Sequence, residues 1–156
     1  MNTLRMGGLS VKSKLIHDGD EKTFALVFGT GDEVVSGLLA FAKEQSLAAS
    51  HSAGIGACER VTLGFFELER KDYKKIPINE QVEVMSLIGN ISLEESGEPK
   101  VHAHVVVGLQ DGTAHGGHLL EAHVRPTLEV FLVESSQPLR RKMNAGVGLA
   151  LIDLTE

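Results

Sequence analysis

The chain of 156 residues has one cysteine, Cys58, one tyrosine, Tyr73, and no tryptophan. A lone thiol closes no internal disulfide and forms no zinc–thiolate pair, which suits a reducing compartment. Cys58 sits in Gly56-Ala57-Cys58 and reads as a small core residue rather than a nucleophile. No apolar run approaches the roughly 20 residues of a membrane-spanning helix, and Met1-Asn2-Thr3-Leu4-Arg5 leads into no secretory hydrophobic region, so the expected location is cytoplasmic. Ser-His-Asp order, a phosphate loop with its lysine and a dinucleotide fingerprint are all missing, so the motifs name no reaction and enzymatic activity is left open. Positive charge is scarce as well. Fifteen Lys and Arg face 21 Asp and Glu for a net charge of −6, and the densest basic group is only Arg140-Arg141-Lys142. Phosphate contacts draw their affinity from clustered cations, so direct, unassisted DNA binding is not expected.

What is present reads as one domain over residues 1–156, with no internal repeat or dividing linker. A short strand near 10–16 precedes a turn at His17-Asp18-Gly19-Asp20. Phe24, Leu26 and Phe28 alternate with Ala25 and Val27, predicting a strand packed on both faces. Thr30 followed three residues later by Glu33 predicts a capping box, and Val35, Leu38, Leu39 and Ala42 continue at helical spacing to about Gln45. This helix start is read as structural capping rather than an anion site, because Asp32 and Glu33 already occupy it. Strands follow over 48–56, 59–70, 73–78 and 81–93, with Val82, Val84, Ser86 and Ile88 expected on one face and Glu83, Met85 and Leu87 on the other. After a polar loop at 94–100 come a histidine hairpin and strands over 127–133 and 147–154. The expectation is an α+β fold: a mainly antiparallel β-sheet with one main α-helix packed on it.

The hairpin carries the chemistry. Val101-His102-Ala103-His104 is valine-rich strand, so His102 and His104 share a face. Asp111-Gly112 marks the turn, and His115-Gly116-Gly117-His118 returns. A two-residue turn would set His104 opposite Leu119 and point His118 the wrong way. One extra loop residue, or a bulge at the glycine pair, would set His104 opposite His118. The three imidazoles are then either ligands of one metal ion or ordinary polar residues of a solvated strand. His115 reads as a turn residue more readily than as a fourth ligand. His51 has no partner that the sequence can name.

Five segments together resemble a known family: Gly54-Ile55-Gly56-Ala57, Ser86-Leu87-Ile88-Gly89-Asn90-Ile91, Val101-His102-Ala103-His104, Gly116-Gly117-His118-Leu119 and Thr127-Leu128-Glu129-Val130. They run in order from about residue 20 to the C-terminus and resemble the plants-and-prokaryotes-conserved (PPC) domain, also called domain of unknown function 296. The resemblance implies a compact fold assembling as a homotrimer, with the recurring histidines at His102, His104 and His118. In plants the domain follows an Arg-Gly-Arg-Pro AT-hook that enters the DNA minor groove; no such segment occurs here. Imidazole donors favour zinc among the abundant divalent ions. Glu129, a carboxylate mid-strand, would orient a ligand or act as base, with a solvent-facing strand residue as the plain alternative. Arg125 would bind an anion or form a surface ion pair. Three functions follow: a metal-binding homotrimer with or without catalysis, a DNA-associated or regulatory module acting through protein partners, or a purely structural oligomer.

Overall fold

The computed structural model describes residues 2–3 and 11–155. Ten strands and one helix occur among them: β1 (Asn2–Thr3), β2 (Lys12–Asp18), β3 (Lys22–Gly29), α1 (Val34–Gln45), β4 (Ala49–Glu67), β5 (Asp72–Ile78), β6 (Val82–Leu93), β7 (Pro99–Gly108), β8 (Ala114–Glu134), β9 (Arg140–Asn144) and β10 (Leu149–Asp153). Most of the predicted 10–16 strand is therefore β2, while its first residue lies outside the described residues. The predicted pairs of segments 48–56 with 59–70, and the histidine return strand with 127–133, are each one long strand that shifts register instead of ending.

The path runs β1-β2-β3-β8-β4-β6-β9-β10, with β5 on β4 and β7 joining β6 to β8. Pairings β8–β4, β4–β6, β6–β7 and β7–β8 return to their start, so the sheet closes on itself. All of these are antiparallel; the single β6–β9 pairing, Leu93 with Arg140, is parallel. Closure leaves β4, β6, β7 and β8 no free edge along their paired lengths, while β1, β5 and β10 each pair on one side among the described residues.

Alternate residues of the long strands bury one face. Phe24, Leu26, Phe28, Leu63, Leu87, Val105, Val107, Leu128, Val130 and Leu132 form the core with Val34, Leu38, Phe41 and Ala42 of α1. Phe24 and Phe41 meet edge to face at 5.2 Å. Cys58 lies fully buried in this cluster, and burial pushes its thiol up to about 12, which fits a core residue and not a nucleophile.

Three local expectations are corrected. The helix N-cap is Glu33, not Thr30: its carboxylate accepts the Val35 and Ser36 amides at 3.0 and 2.7 Å, and the Ala122 amide of β8 at 3.2 Å. Asp32 instead closes the preceding turn, accepting the Gly29 amide at 2.8 Å. Glu33 thus serves α1 and ties it to the sheet. Glu33→Ala should cost about 2 kcal/mol in chemical denaturation, with Glu33→Gln recovering part of it; equal stability of the two would remove the capping role. Second, Val27 is exposed, so β3 packs on one face only. Third, a register shift between Val84 and Ser86 reverses the predicted alternation of β6. Val82 and Val84 stay buried, but Leu87 and Ile91 now point inward while Ile88 points out.

The face opposite α1 is apolar and open. Ile88, Ile55, Met85 and Phe131 are 64, 62, 60 and 56% exposed. Registers place Phe131, Ala53, Ile88 and His104 side by side across β8, β4, β6 and β7. None of the described helices is long and apolar enough to cross a membrane.

Candidate metal centre

The loop decides the histidine register. The Leu109 amide donates to Thr113 O at 2.8 Å, and the Gly112 amide donates to Leu109 O at 2.9 Å. Gly112 takes φ +82°, a left-handed conformation that suits glycine. Asp111 fixes the turn by accepting from the Thr113 amide and hydroxyl at 2.9 and 2.6 Å. Three residues, Gln110-Asp111-Gly112, therefore separate Leu109 from Thr113, one more than the shortest turn. His104 then pairs with His118, with no register shift at Gly116 or Gly117. Of the two devices the sequence offered, the longer loop is the one used.

The three imidazoles converge. Nε2 of His104 lies 3.2 Å from Nε2 of His102, and one nitrogen from each of His102, His104 and His118 falls within 4.8 Å of the others. Ring centroids are 5.2, 5.3 and 5.4 Å apart. Two nitrogens on a tetrahedral zinc, each about 2.0–2.1 Å from the ion, would stand about 3.3 Å apart. Nδ1 of His118 is buried with no hydrogen-bond partner among the described residues. An unpaired buried polar atom costs about 1–3 kcal/mol, which a cation bound at that nitrogen would offset.

Neutral imidazole is the ligand form, and the surroundings favour it. Burial first, then His102, His104 and Lys100, hold His118 down at about 4. Burial first, then Arg141, His104 and Lys100, lower His102. Donor type, spacing and protonation state all fit a divalent ion. In an unfolded chain His118 would titrate near its ordinary value of about 6.5. Between that value and about 4 the unfolded state therefore binds more protons than the folded one. The metal-free protein should lose stability, by on the order of 2 kcal/mol, as pH falls through this window. Urea melts at pH 7.0 and 4.5 would check this, and His118→Ala should flatten the difference; an unchanged slope in that variant would assign the loss to other groups.

Tyr73 of β5 supports the site from below. Its ring stacks on His118 with centroids 4.5 Å apart and planes 22° from parallel. A side chain at Gly64 would come within 2.8 Å of that ring, so glycine there keeps the stack possible. Asn90 of β6 is the cross-strand partner of His102. Its Oδ1 accepts from Nη2 of Arg141 at 2.7 Å. Tyr73, Asn90 and Arg141 escaped the sequence reading. The first two lie in other strands at no regular distance, and Arg141 was hidden within a basic run that looked like surface.

The remaining candidates lie elsewhere. His115 is in β8, not the turn, opposite Val107 and outside the cluster. Glu129 is exposed between Val27 and Ile55, at the far end of β8 from His118, and among the described residues it forms no part of the triad's cluster. Arg125 is exposed on β8 and also outside the cluster. His51 is exposed, paired with Asn90 on one side and Val133 on the other. Arg140 and Lys142 are exposed and Arg141 points inward, so the basic run is not a continuous patch.

Residues 17–136 match the family model of the Plants and Prokaryotes Conserved (PCC) domain, the same domain as the PPC named above. A solved plant- and prokaryote-conserved protein from Pyrococcus horikoshii is 34% identical, with a TM-score of 0.80 over 98% of this chain and 99% of that one. A metal-containing protein from Archaeoglobus fulgidus is also 34% identical, with a TM-score of 0.77 over 84% and 92%. A protein from Bacteroides thetaiotaomicron, named for a conjectured DNA-binding role, is 30% identical, with a TM-score of 0.84 over 92% and 99%. No curated protein matches the sequence.

Proposed function

Because the chain belongs to the Plants and Prokaryotes Conserved domain family, we propose that it is a homotrimer whose His102, His104 and His118 hold one zinc ion per chain. The observation that carries this reading is the convergence of three imidazole nitrogens within 4.8 Å, two of them at the separation a tetrahedral ion requires. The metal-containing relative from Archaeoglobus fulgidus supports it. Three protein ligands leave a position open to a ligand, the arrangement of catalytic rather than structural zinc sites. When bound, the ion supplies Lewis-acid chemistry, while the chain's part is to hold the imidazoles neutral and oriented. The trimer covers the apolar face bearing Ile55, Met85, Ile88 and Phe131, and His104 shares a row with that face. Metal analysis of tag-free protein, combined with light scattering after gel filtration, tests both parts.

A second reading is a DNA-associated or regulatory module acting through protein partners, favoured by the name of the Bacteroides relative. With net charge −6 over these 156 residues, the contact of this domain with DNA would be indirect. Fluorescence anisotropy with duplex DNA near physiological salt should detect no nanomolar complex. Tight binding that survives that salt, and is lost when Arg140 and Lys142 are neutralised, would replace the first reading.

A further inference from the structure

We propose that Arg141 is an anion-binding residue of the histidine site, so that the ligands of this protein carry a small oxyanion such as a carboxylate or phosphate. Arg141 is only 7% exposed. Its Nε donates to Ser92 Oγ at 2.7 Å, Nη1 to Ala150 O at 3.0 Å and Nη2 to Asn90 Oδ1 at 2.7 Å. All three acceptors are neutral. Of the five N–H groups a guanidinium offers, one on each terminal nitrogen is left without a hydrogen bond among the described residues. No carboxylate among the described residues forms an ion pair with it. Glu94 acts on Arg141 only through space, and its Oε1 is 3.3 Å from Lys100 Nζ.

Burying a full charge against neutral partners alone is costly, and buried charges are ordinarily paired. Tethering the β9–β10 hairpin to β6 needs hydrogen bonds, not a cation; a neutral side chain would do it at lower cost. The charge therefore has a further use, and two donors on adjacent nitrogens match the two oxygens of an oxyanion.

Position says which site is served. Asn90 accepts from Arg141 and is the cross-strand partner of His102. Cross-strand partners hold their Cβ atoms about 5 Å apart on one face. One amide side chain thus separates the guanidinium from the triad. Arg141 also lines a cleft of about 290 Å³ with Arg140, Lys142, Glu95 and Asp153, which has room for a small ion and lies beside the triad, none of the three histidines being among its walls. Two acids share the cleft, Glu95 accepting the Met143 amide at 2.9 Å and Asp153 the Thr155 amide and hydroxyl at 3.0 and 2.6 Å, and its three cations still outnumber them. A divalent ion on the triad would add to the same positive field. That last point rests on the proposed metal; the unpaired guanidinium does not.

The test uses the full chain. In isotope-labelled, metal-free protein the Arg141 Nε–H resonance, assigned by its loss in Arg141→Lys, is followed while sodium acetate, sodium phosphate, sodium chloride or acetamide is added. Acetate or phosphate should shift it saturably in the millimolar range, and acetamide should leave it in place; whichever of the two binds tighter distinguishes a planar carboxylate from a tetrahedral phosphate. Cobalt-loaded protein should show a change in its visible spectrum with the same anion. Arg141→Gln should raise the half-saturating concentration at least about tenfold without altering cobalt content. A resonance that does not move, that moves equally with chloride, or an anion affinity unchanged in Arg141→Gln overturns the proposal. Should Arg141→Gln fail to fold, the wild-type titration decides. Failure of the histidines to load cobalt would overturn the metal reading alone, because the metal-free titration is read separately.

Discussion

His104→Ala should reduce bound zinc from one equivalent per chain to below about a tenth, measured by metal analysis after loading and gel filtration of tag-free protein. His104 is the central ligand: it sits two residues from His102 on one strand and directly opposite His118 on the next, and its Nε2 is 3.2 Å from that of His102. Removing groups that merely orient a ligand commonly costs 10–100-fold in metal affinity; removing one of three ligands should cost more than about 100-fold. The side chain is exposed, so its truncation opens no core cavity, and the variant should stay folded. A variant that unfolds would mean that the ion has a structural role. His115→Ala, in the same strand but outside the cluster, is the control and should load normally. Because His118 is held at about 4, loading of the wild type should persist to lower pH than at ordinary histidines and fail as that value is approached. Loading unchanged in His104→Ala would make the triad a set of polar strand residues.

Ile88→Glu, and separately Phe131→Glu, should convert the proposed trimer into monomers at micromolar concentration, a threefold drop in mass by light scattering. The two side chains are 64 and 56% exposed within one chain and linked through Ala53 across adjacent strands. Covering such a side chain stabilises by about 1.5–3 kcal/mol, repeated at each of three symmetric contacts. A carboxylate there would be desolvated without a partner, which opposes assembly by several kcal/mol more. Neither residue is in the core, so secondary structure by circular dichroism should be retained in the monomers. A wild-type protein that is monomeric at micromolar concentration, or an Ile88→Glu protein that stays trimeric, would place the contact elsewhere or remove it. His104 borders this face, so loss of assembly should also weaken metal loading if neighbouring chains shield the site.

The sequence alone determined what depends on short-range pattern. Strand parity put His102 and His104 on one face, since successive side chains alternate wherever a segment is extended. The helix over α1 and its acidic start were legible for the same reason, as were the polar loop before β7 and the buried character of Cys58. The ordered set of five segments identified the family. Even the meeting of His104 with His118 was within reach, because one residue in the loop at Gln110-Asp111-Gly112 decides it. Only the tertiary structure decided what depends on distant strands. The shift between Val84 and Ser86 occurs in the pairing with β7, with a matching shift at Gly54 and Gly56 of β4, and it turned Ile88 outward against the period-two reading. β4, lying between β5 and β8, brought Tyr73 against His118. Glu33 took the capping role because β8 supplied a third amide for its carboxylate to accept. Arg141 turned inward because β9 runs alongside β6, where Ser92 and Asn90 await it. Its neighbours in sequence remained on the surface, since alternation sends adjacent side chains opposite ways, and no local pattern tells which of three consecutive cations the sheet will bury.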